Sequence, residues 1–470
     1  MRPHVDALRR WIPAAVTAVA ALAAACTDQP VAPTAARPAP SFAAQAAAPG
    51  GGRRHVLVMR NQAIPADMAA AIQARGGRVE RTDAEIGVVT VSGLSDAAVS
   101  ALAARADVEG IDQDVVVQWL PPREQFTGQV MQAPTIQSNQ SGAFFFPFQW
   151  NMRQIKADAA WLTTNQGAGT LVCILDTGID PNHLDLSGKV DLTKSTSFVA
   201  TEPFIEDLNF HGTAVASLVS SNGLGMASVA PDARLCAVKV LGITGSGSFA
   251  DVISGMMFAA RNHADVINMS LGAYFSKKAP GALELVKALQ RAVTFATLRG
   301  TLVVAAAGNE GLNLDRDPRD SIEVPGQLIG VLNVGATAPV NQTNFDALAS
   351  YTNFGLTGVD VMAPGGDLVA GGQLPDLVLA ACSEFVPGCN TSNAFYVFTA
   401  GTSFSSPHAA GTAAVAESQG HGNQGPIALA LCVKLGADDL GRRGLDPLYG
   451  FGRINVQGAA KKCAHGGFIF

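Results

Sequence analysis

The chain has 470 residues, 48% of them hydrophobic and 15% charged, with 49 Gly, 25 Pro and a formal net charge of -6 at pH 7. So apolar a composition excludes a disordered protein, and the length leaves room for more than one domain. No basic block occurs beyond the first dozen residues, so the electrostatic footprint of a nucleic-acid partner is missing, and the mild acidity bears on solubility rather than on any substrate.

The first segment in chain order is an export signal, residues 1–25. Arg9 and Arg10 precede the apolar run WIPAAVTAVAALAAAC, which ends at Cys26. A charged start, a short apolar run and small residues before a cleavage point define such a signal. The run is too short and alanine-rich for a membrane span, which needs about 20 apolar residues. Its Ala-Ala-Ala-Cys end resembles a bacterial lipoprotein signal, which implies a lipidated Cys26 as a membrane tether. Leu22 lies four places before Cys26, and Ala23 stands where leucine is usual. Cleavage after Ala23 or Ala25 with release of the protein is therefore the competing expectation. Either route places the chain outside the cytoplasm, secreted or held as a bacterial lipoprotein. Residues 26–54, rich in Ala and Pro and without a hydrophobic period, form a tether.

Residues 55–118 change character. HVLVM has strand character, and AIPADMAAAIQARGG is helical up to Gly76 and Gly77. RVERT and IGVVTVSG are strands, LSDAAVSALAAR is a helix capped by Ser95, and VEGIDQDVVVQWL is a strand. The order β-α-β-β-α-β in so few residues predicts a small α+β unit of the ferredoxin-like split type. Residues 119–147, rich in Pro, Gln and Gly, are expected as a linker.

Residues 148–470 form the main domain. The runs LVCIL, LCAVKV, ADVINMS, TLVVAAAG and IGVLNVGA are short, apolar and β-branched, and helical patterns separate several of them. The alternation predicts a doubly wound α/β domain with a parallel sheet covered on both faces.

Three motifs within it carry chemistry. LVCILDTGID delivers Asp176 at the carboxyl end of a buried strand, where parallel-sheet enzymes place their reacting groups. FHGTAVASLV sets His211 at the front of a helix; alone, such a histidine is as well explained as a cap. FTAGTSFSSPHAAGTAAV sets Ser403 before a helix whose small face runs through Ala409, Ala410, Ala413 and Ala414. Helix starts present free N–H groups that can hold a developing oxyanion. The order is Asp, His, Ser, distinct from the His-Asp-Ser and Ser-acid-His orders of other serine hydrolases.

DTGID, HGTAVAS and GTSFSSPHAAG together resemble the three signature motifs of the subtilisin (subtilase) family, over about residues 148 to 458. The resemblance implies a secreted serine endopeptidase of subtilisin type, with Asp176, His211 and Ser403 as its triad. Asn309, after Gly308 in VVAAAGNEG, would complete the oxyanion hole; losing one such donor costs about 10²–10³ in turnover. Ser270, Leu271 and Gly272 of NMSLGA would pair with an extended peptide, with Gly308 also lining the cleft. Residues 55–118 resemble the family's inhibitor-like propeptide, so the partners implied are protein or peptide substrates and the chain's own propeptide, in a self-processing zymogen. The chemistry itself calls for no cofactor. His183-Leu184-Asp185 resembles a calcium-binding stretch of the family, but its partner loop SNGLGMAS is about two residues short, so structural calcium stays unassigned.

Other departures from the family pattern are visible. Phe210 stands before His211 where glycine is usual, and Ala214 replaces a second histidine. The stretch GGDLVAGGQLPDLVLAACSEFVPGCNTSNAF reads as a surface insertion. Apart from Cys26, six cysteines remain in an exported chain, which permits disulfides. Cys382 with Cys389, and Cys432 with Cys463, are natural pairs; Cys173 and Cys236, in apolar strands, are expected as buried thiols. An α/β-hydrolase esterase is disfavoured because Ser405 breaks G-x-S-x-G after Ser403, and a catalytically silent scaffold would leave four intact chemical positions unexplained.

Overall fold

The computed structural model describes residues 53–121, 131–133, 139–279, 281–316, 320–390, 392–420 and 424–464. The export signal, Cys26 and most of the tether lie outside these residues.

The first elements are β1 (Arg54–Met59), α1 (Met68–Gln73), β2 (Arg78–Asp83), β3 (Val88–Ser92), α2 (Asp96–Ala103) and β4 (Val108–Gln113). They form an antiparallel sheet in the order β2-β3-β1-β4, with both helices on one face. Ser95 caps α2, its side chain accepting from the Ala98 N–H. The two central strands, β1 and β3, are buried almost throughout because both of their faces are covered. Leu57, Met59, Val89 and Val91 pack on Met68, Ile72 and Leu102 of the two helices. The alternate residues Val56, Val58 and Val88 join a core shared with the large domain, as the period of two in a strand requires.

The sequence pattern suggested one strand from Val108 to Leu120. Instead the chain leaves the small sheet at Asp114, whose carboxylate accepts the Ala250 N–H. A separate strand, β5 (Val116–Gln118), then pairs antiparallel with a strand of the large domain. Trp119 and Leu120, at the start of the expected linker, are buried.

The chain continues through β6 (Met131–Gln132), α3 (Trp150–Gln154), α4 (Ala157–Trp161), β7 (Leu171–Asp176), β8 (Thr196–Ser197), α5 (His211–Val219), β9 (Arg234–Lys239), β10 (Ser246–Ser248) and α6 (Phe249–Arg261). Next come β11 (Val266–Met269), β12 (Ala273–Ser276), α7 (Ala282–Leu298), β13 (Leu302–Ala306), β14 (Ser321–Val324), β15 (Val331–Thr337) and β16 (Val361–Pro364). The last elements are β17 (Val378–Ala381), β18 (Phe395–Thr399), α8 (Thr402–Gln419), α9 (Pro426–Gly436) and α10 (Val456–Ala464). Seven strands make a parallel sheet in the order β16-β15-β13-β11-β7-β9-β8. The chain winds outward from β7 in one direction and then from β11 in the other, so the sheet is doubly wound. The switch point lies between β7 and β11, the position where open α/β sheets bind ligands at their carboxyl ends.

The small unit docks on α6 and α7. Arg54 pairs with Asp251 at 3.1 Å, Arg261 with Asp83 at 3.0 Å and Lys287 with Glu109 at 3.0 Å. Arg291 donates to the Met59 carbonyl at 2.8 Å. These partly exposed ion pairs contribute modestly one by one, and the apolar core beneath them carries more of the binding.

Two sequence expectations are corrected. Cys173 and Cys236 are joined as a disulfide rather than free thiols. They are register partners on the adjacent strands β7 and β9, with Cα atoms 4.5 Å apart, so both side chains leave the same face of the sheet. The pairs Cys382–Cys389 and Cys432–Cys463 also form. The stretch expected as a surface insertion contributes β17, whose four residues are wholly buried, in a small sheet of order β17-β18-β6. Its apolar LVLAA run, Leu377 to Ala381, is core rather than decoration.

Helix α8 is buried on every face, which explains its alanines and glycine: a Cβ on Gly411 would come within 2.7 Å of the Val229 side chain. His408 within it is fully buried. Its Nδ1–H donates to the Phe404 carbonyl at 2.6 Å and its Nε2 accepts from the Asn151 amide at 2.8 Å. Burial pushes its pKa down to about 4 from 6.5. The unfolded chain therefore binds a proton that the native chain refuses, and stability is lost as pH falls from 6.5 towards 4. The contribution is about 3 kcal/mol, fully present above pH 6.5. Melting curves between pH 4 and 7, taken on a Ser403→Ala background, are expected to show a steeper acid loss than the same curves for His408→Asn. Parallel curves would remove His408 from the account.

Candidate active site

Strand β7 ends on Asp176, which is fully buried. Its Oδ1 accepts the Thr177 N–H at 2.7 Å and lies 2.8 Å from His211 Nδ1. The carboxylate accepts, so Nδ1 carries the proton and Nε2 is left as the basic nitrogen. His211 opens α5 on a turn that puts Phe210 at φ 81°, in the left-handed region. Glycine's usual place before this histidine has that backbone reason. The helix start is held close to β7: a Cβ on Gly212 would collide with the Gly178 carbonyl.

Asp207 organises this entry, and the sequence reading did not single it out. Its Oδ2 accepts the N–H and hydroxyl of Thr213, at 2.8 and 2.7 Å. Its Oδ1 accepts the Thr177 hydroxyl and the Phe210 N–H. Thr177 Oγ1 in turn accepts the Gly212 N–H at 2.9 Å. One buried carboxylate thus ties the turn after Asp176 to the helix start that presents His211. Burial raises its pKa, against the donors that surround it. An acidic residue four places before a helical histidine is the signal that could have found it. Lys239, buried and in register with Asp176, donates to the Thr177 carbonyl and pairs with Glu202 at 2.9 Å.

Ser403 lies in the first turn of α8, 3% exposed. Gly401, at φ 151° and ψ 157°, makes a turn that is essentially glycine's alone. The ring of Phe404, the next residue after Ser403, lies 5.5 Å from the His211 ring, so α5 and α8 meet at their N-termini. Pro407 gives the sequence pattern its purpose. It has no N–H to offer the Ser403 carbonyl four residues back. That carbonyl accepts the Ser270 hydroxyl at 2.6 Å instead. Asn268 donates to the Ser270 Oγ, and Ser406 donates to Asn268. The freed carbonyl therefore fastens the Ser270–Gly272 segment to the serine helix.

Asn309 follows β13 and Gly308, which stands at φ 94°. The Asn309 Oδ1 accepts the Thr402 N–H at 2.8 Å and its hydroxyl at 2.9 Å. The oxygen of the amide thus ties Asn309 to the residue before Ser403. Gly308 donates its N–H to Thr402 Oγ1 at 3.2 Å. Asp176, His211, Ser403, Asn309, Gly308, Ser270, Leu271 and Gly272 thus fall in one neighbourhood at the carboxyl ends of β7, β11 and β13.

Asp185 is engaged elsewhere. Its carboxylate accepts the N–H groups of Leu224, Gly225 and Met226 and the Tyr396 hydroxyl. Four donors fill both oxygens, so these residues do not fit a cation at Asp185. Among the described residues no cluster of three His, Cys, Asp or Glu side chains is placed to hold a metal. None of the described helices is long and apolar enough to cross a membrane.

Strand β5 lies across the same cleft. It pairs with β10 in the register Val117 to Gly247, and the Gly272 N–H donates to the Trp119 carbonyl at 3.2 Å. The Trp119 ring packs on Phe249 and Phe275. The chain's own segment therefore sits between β10 and Gly272 as an added strand.

The sequence model of the subtilase family matches residues 167–452. The thermophilic serine proteinase of Bacillus sp. (strain AK1) is 35% identical over 319 residues, which cover 67% of this chain and 68% of that protein. Subtilisin Savinase of Lederbergia lenta is 34% identical over 314 residues, 66% of this chain and 98% of its own. Among solved structures, the epidermin leader peptide processing serine protease of Staphylococcus aureus aligns with a TM-score of 0.71 at 22% identity, covering 87% of this chain and 97% of that one. This last likeness is one of fold. The chain belongs to the subtilase family and is a serine-type peptidase with a subtilisin-like α/β fold.

Proposed function

We propose that the protein is an extracytoplasmic serine endopeptidase that cuts peptide bonds through Asp176, His211 and Ser403 and is made as a self-processing pro-enzyme. The observation that carries this reading is the buried 2.8 Å bond between Asp176 and His211, set against the helix turn that bears Ser403. A serine hydroxyl is too weakly acidic to attack an amide unaided. In this reading His211 Nε2 takes its proton as Ser403 Oγ attacks the carbonyl carbon. The tetrahedral oxyanion faces the Asn309 amide and the Ser403 N–H. His211 then protonates the leaving amine, and a water deprotonated by the same nitrogen releases the acyl group. Asp176 keeps the imidazole in the productive tautomer and offsets its charge.

Residues 55–118 act as the propeptide in this proposal, with their last strand, β5, shielding the cleft in the manner of a substrate. Support comes from the docking of the small sheet on α6 and α7 and from the pairing of β5 with β10. Export rests on the N-terminal sequence, as does any lipid on Cys26. Purified full-length protein is expected to shorten itself between the propeptide and about residue 150. Ser403→Ala is expected to remain full length until active enzyme is added. Processing of the alanine variant at the parent rate, on gels of protease-free preparations, would refute the assignment.

A further inference from the structure

One buried side chain near the cleft has no partner and no part in the steps above. Glu323, in β14, is 1% exposed, and neither of its carboxylate oxygens makes a hydrogen bond. Among the described residues it is the one carboxylate with both oxygens left in this way. Burial lifts its pKa well above the usual carboxylate range, and Glu310 adds to the rise. The Gly326 and Gln327 amides pull the other way without reaching hydrogen-bonding geometry. A buried acid without a partner is costly and has no structural use.

Its position suggests what would use it. Strand β14 pairs with β12, just after the segment Ser270–Gly272. A Cβ on Gly272 would stand 2.5 Å from Glu323 Oε1, and a Cβ on Gly326 would collide with Oε2. The carboxyl group therefore lies directly behind the peptide-pairing edge, in room that two glycines leave. On the other side, Glu310 follows Asn309, which holds Thr402 beside the nucleophile. The Glu310 carboxylate accepts from Asn353 at 2.7 Å. Two acidic groups thus stand behind the two segments that flank Ser403.

We propose that Glu323, with Glu310 beside it, is the specificity-determining acid of the cleft and selects a Lys or Arg side chain on the residue whose carbonyl Ser403 attacks. The apolar stem of such a side chain would run past Leu271 and Gly272, and its cationic head would give Glu323 the charged partner it lacks. A neutral side chain would leave the acid buried and unpaired, so discrimination arises from the penalty as well as from the attraction. The inference rests on Ser403 being the nucleophile.

The test is kcat/KM of the processed enzyme on fluorogenic peptides identical except for Lys, Arg, Leu or Phe at that residue. The parent enzyme is expected to favour Lys and Arg over Leu by on the order of 100-fold, the scale of a buried charge pair. Glu323→Gln is expected to remove most of that preference while hydrolysis of the Leu peptide is kept or improved. Glu323→Gly serves the same purpose if the amide disturbs folding, with an unchanged melting temperature as the control. A parent enzyme that favours Leu or Phe would overturn the proposal, as would a Lys-to-Leu ratio unmoved in both variants. Failure of the underlying reading looks different: Ser403→Ala would then remain active on every peptide, whatever the ratio.

Discussion

Ser403→Ala is expected to lower kcat/KM for peptide hydrolysis by about 10⁶, leaving a residual acceleration of about 10³–10⁴ over water. The residue should remain because the substitution spares the binding apparatus. The Ser270 hydroxyl bonds the backbone carbonyl of residue 403, and Asn309 bonds Thr402. Neither contact involves the Ser403 side chain. Alanine also suits a helix better than serine does, so the melting temperature should hold or rise slightly. Steady-state assays on a fluorogenic peptide, with contaminating protease removed by inhibitor treatment, measure the loss. A variant within tenfold of the parent would place the nucleophile elsewhere.

Asp176→Asn should lower kcat by about 10⁴ with KM nearly unchanged. Asp176 and His211 are both shut off from water, with side-chain exposures of 1% and 0%. The imidazolium that forms during attack therefore has no solvent to stabilise it, and a neutral amide at position 176 withdraws its counter-charge. KM should hold because Asp176 lies at the end of β7, behind the histidine and away from the peptide-pairing edge. The split between kcat and KM is the informative quantity. Equal losses in both would point to a collapsed cleft, and a kcat within tenfold of the parent would remove Asp176 from the proton-transfer unit.

Much of this arrangement was legible in the sequence because it is written in local pattern. Five apolar runs with helical spacing between them specify a parallel sheet, and β7 duly delivers Asp176 at its carboxyl end. Ser95 as a cap and the short apolar run of β1 are likewise local signals. What escaped the sequence depends on register between distant segments. Cys173 and Cys236 read as thiols because nothing local says that their strands are adjacent and in phase. The strand past Asp114 read as one piece because its departure is caused by Ala250 and β10, more than a hundred residues away. Asp207 stands four places before His211, but its role as a positioning group depends on partners that lie on two separate turns. Glu323 sits in a short strand whose pattern says nothing of the glycines that surround it. The purpose of Pro407 becomes clear only where Ser270 meets the carbonyl that it frees.

The central claim is that one serine, paired with one buried histidine, does the chemistry. It is tested most directly by reacting the processed enzyme with a fluorophosphonate and mapping the adduct by mass spectrometry of its peptides. The predicted result is one phosphonyl group per chain, on Ser403, formed far more slowly in Asp176→Asn and absent in His211→Ala. A label on Ser405, Ser406 or any other residue, or none at all in a preparation that cleaves peptides, would contradict it.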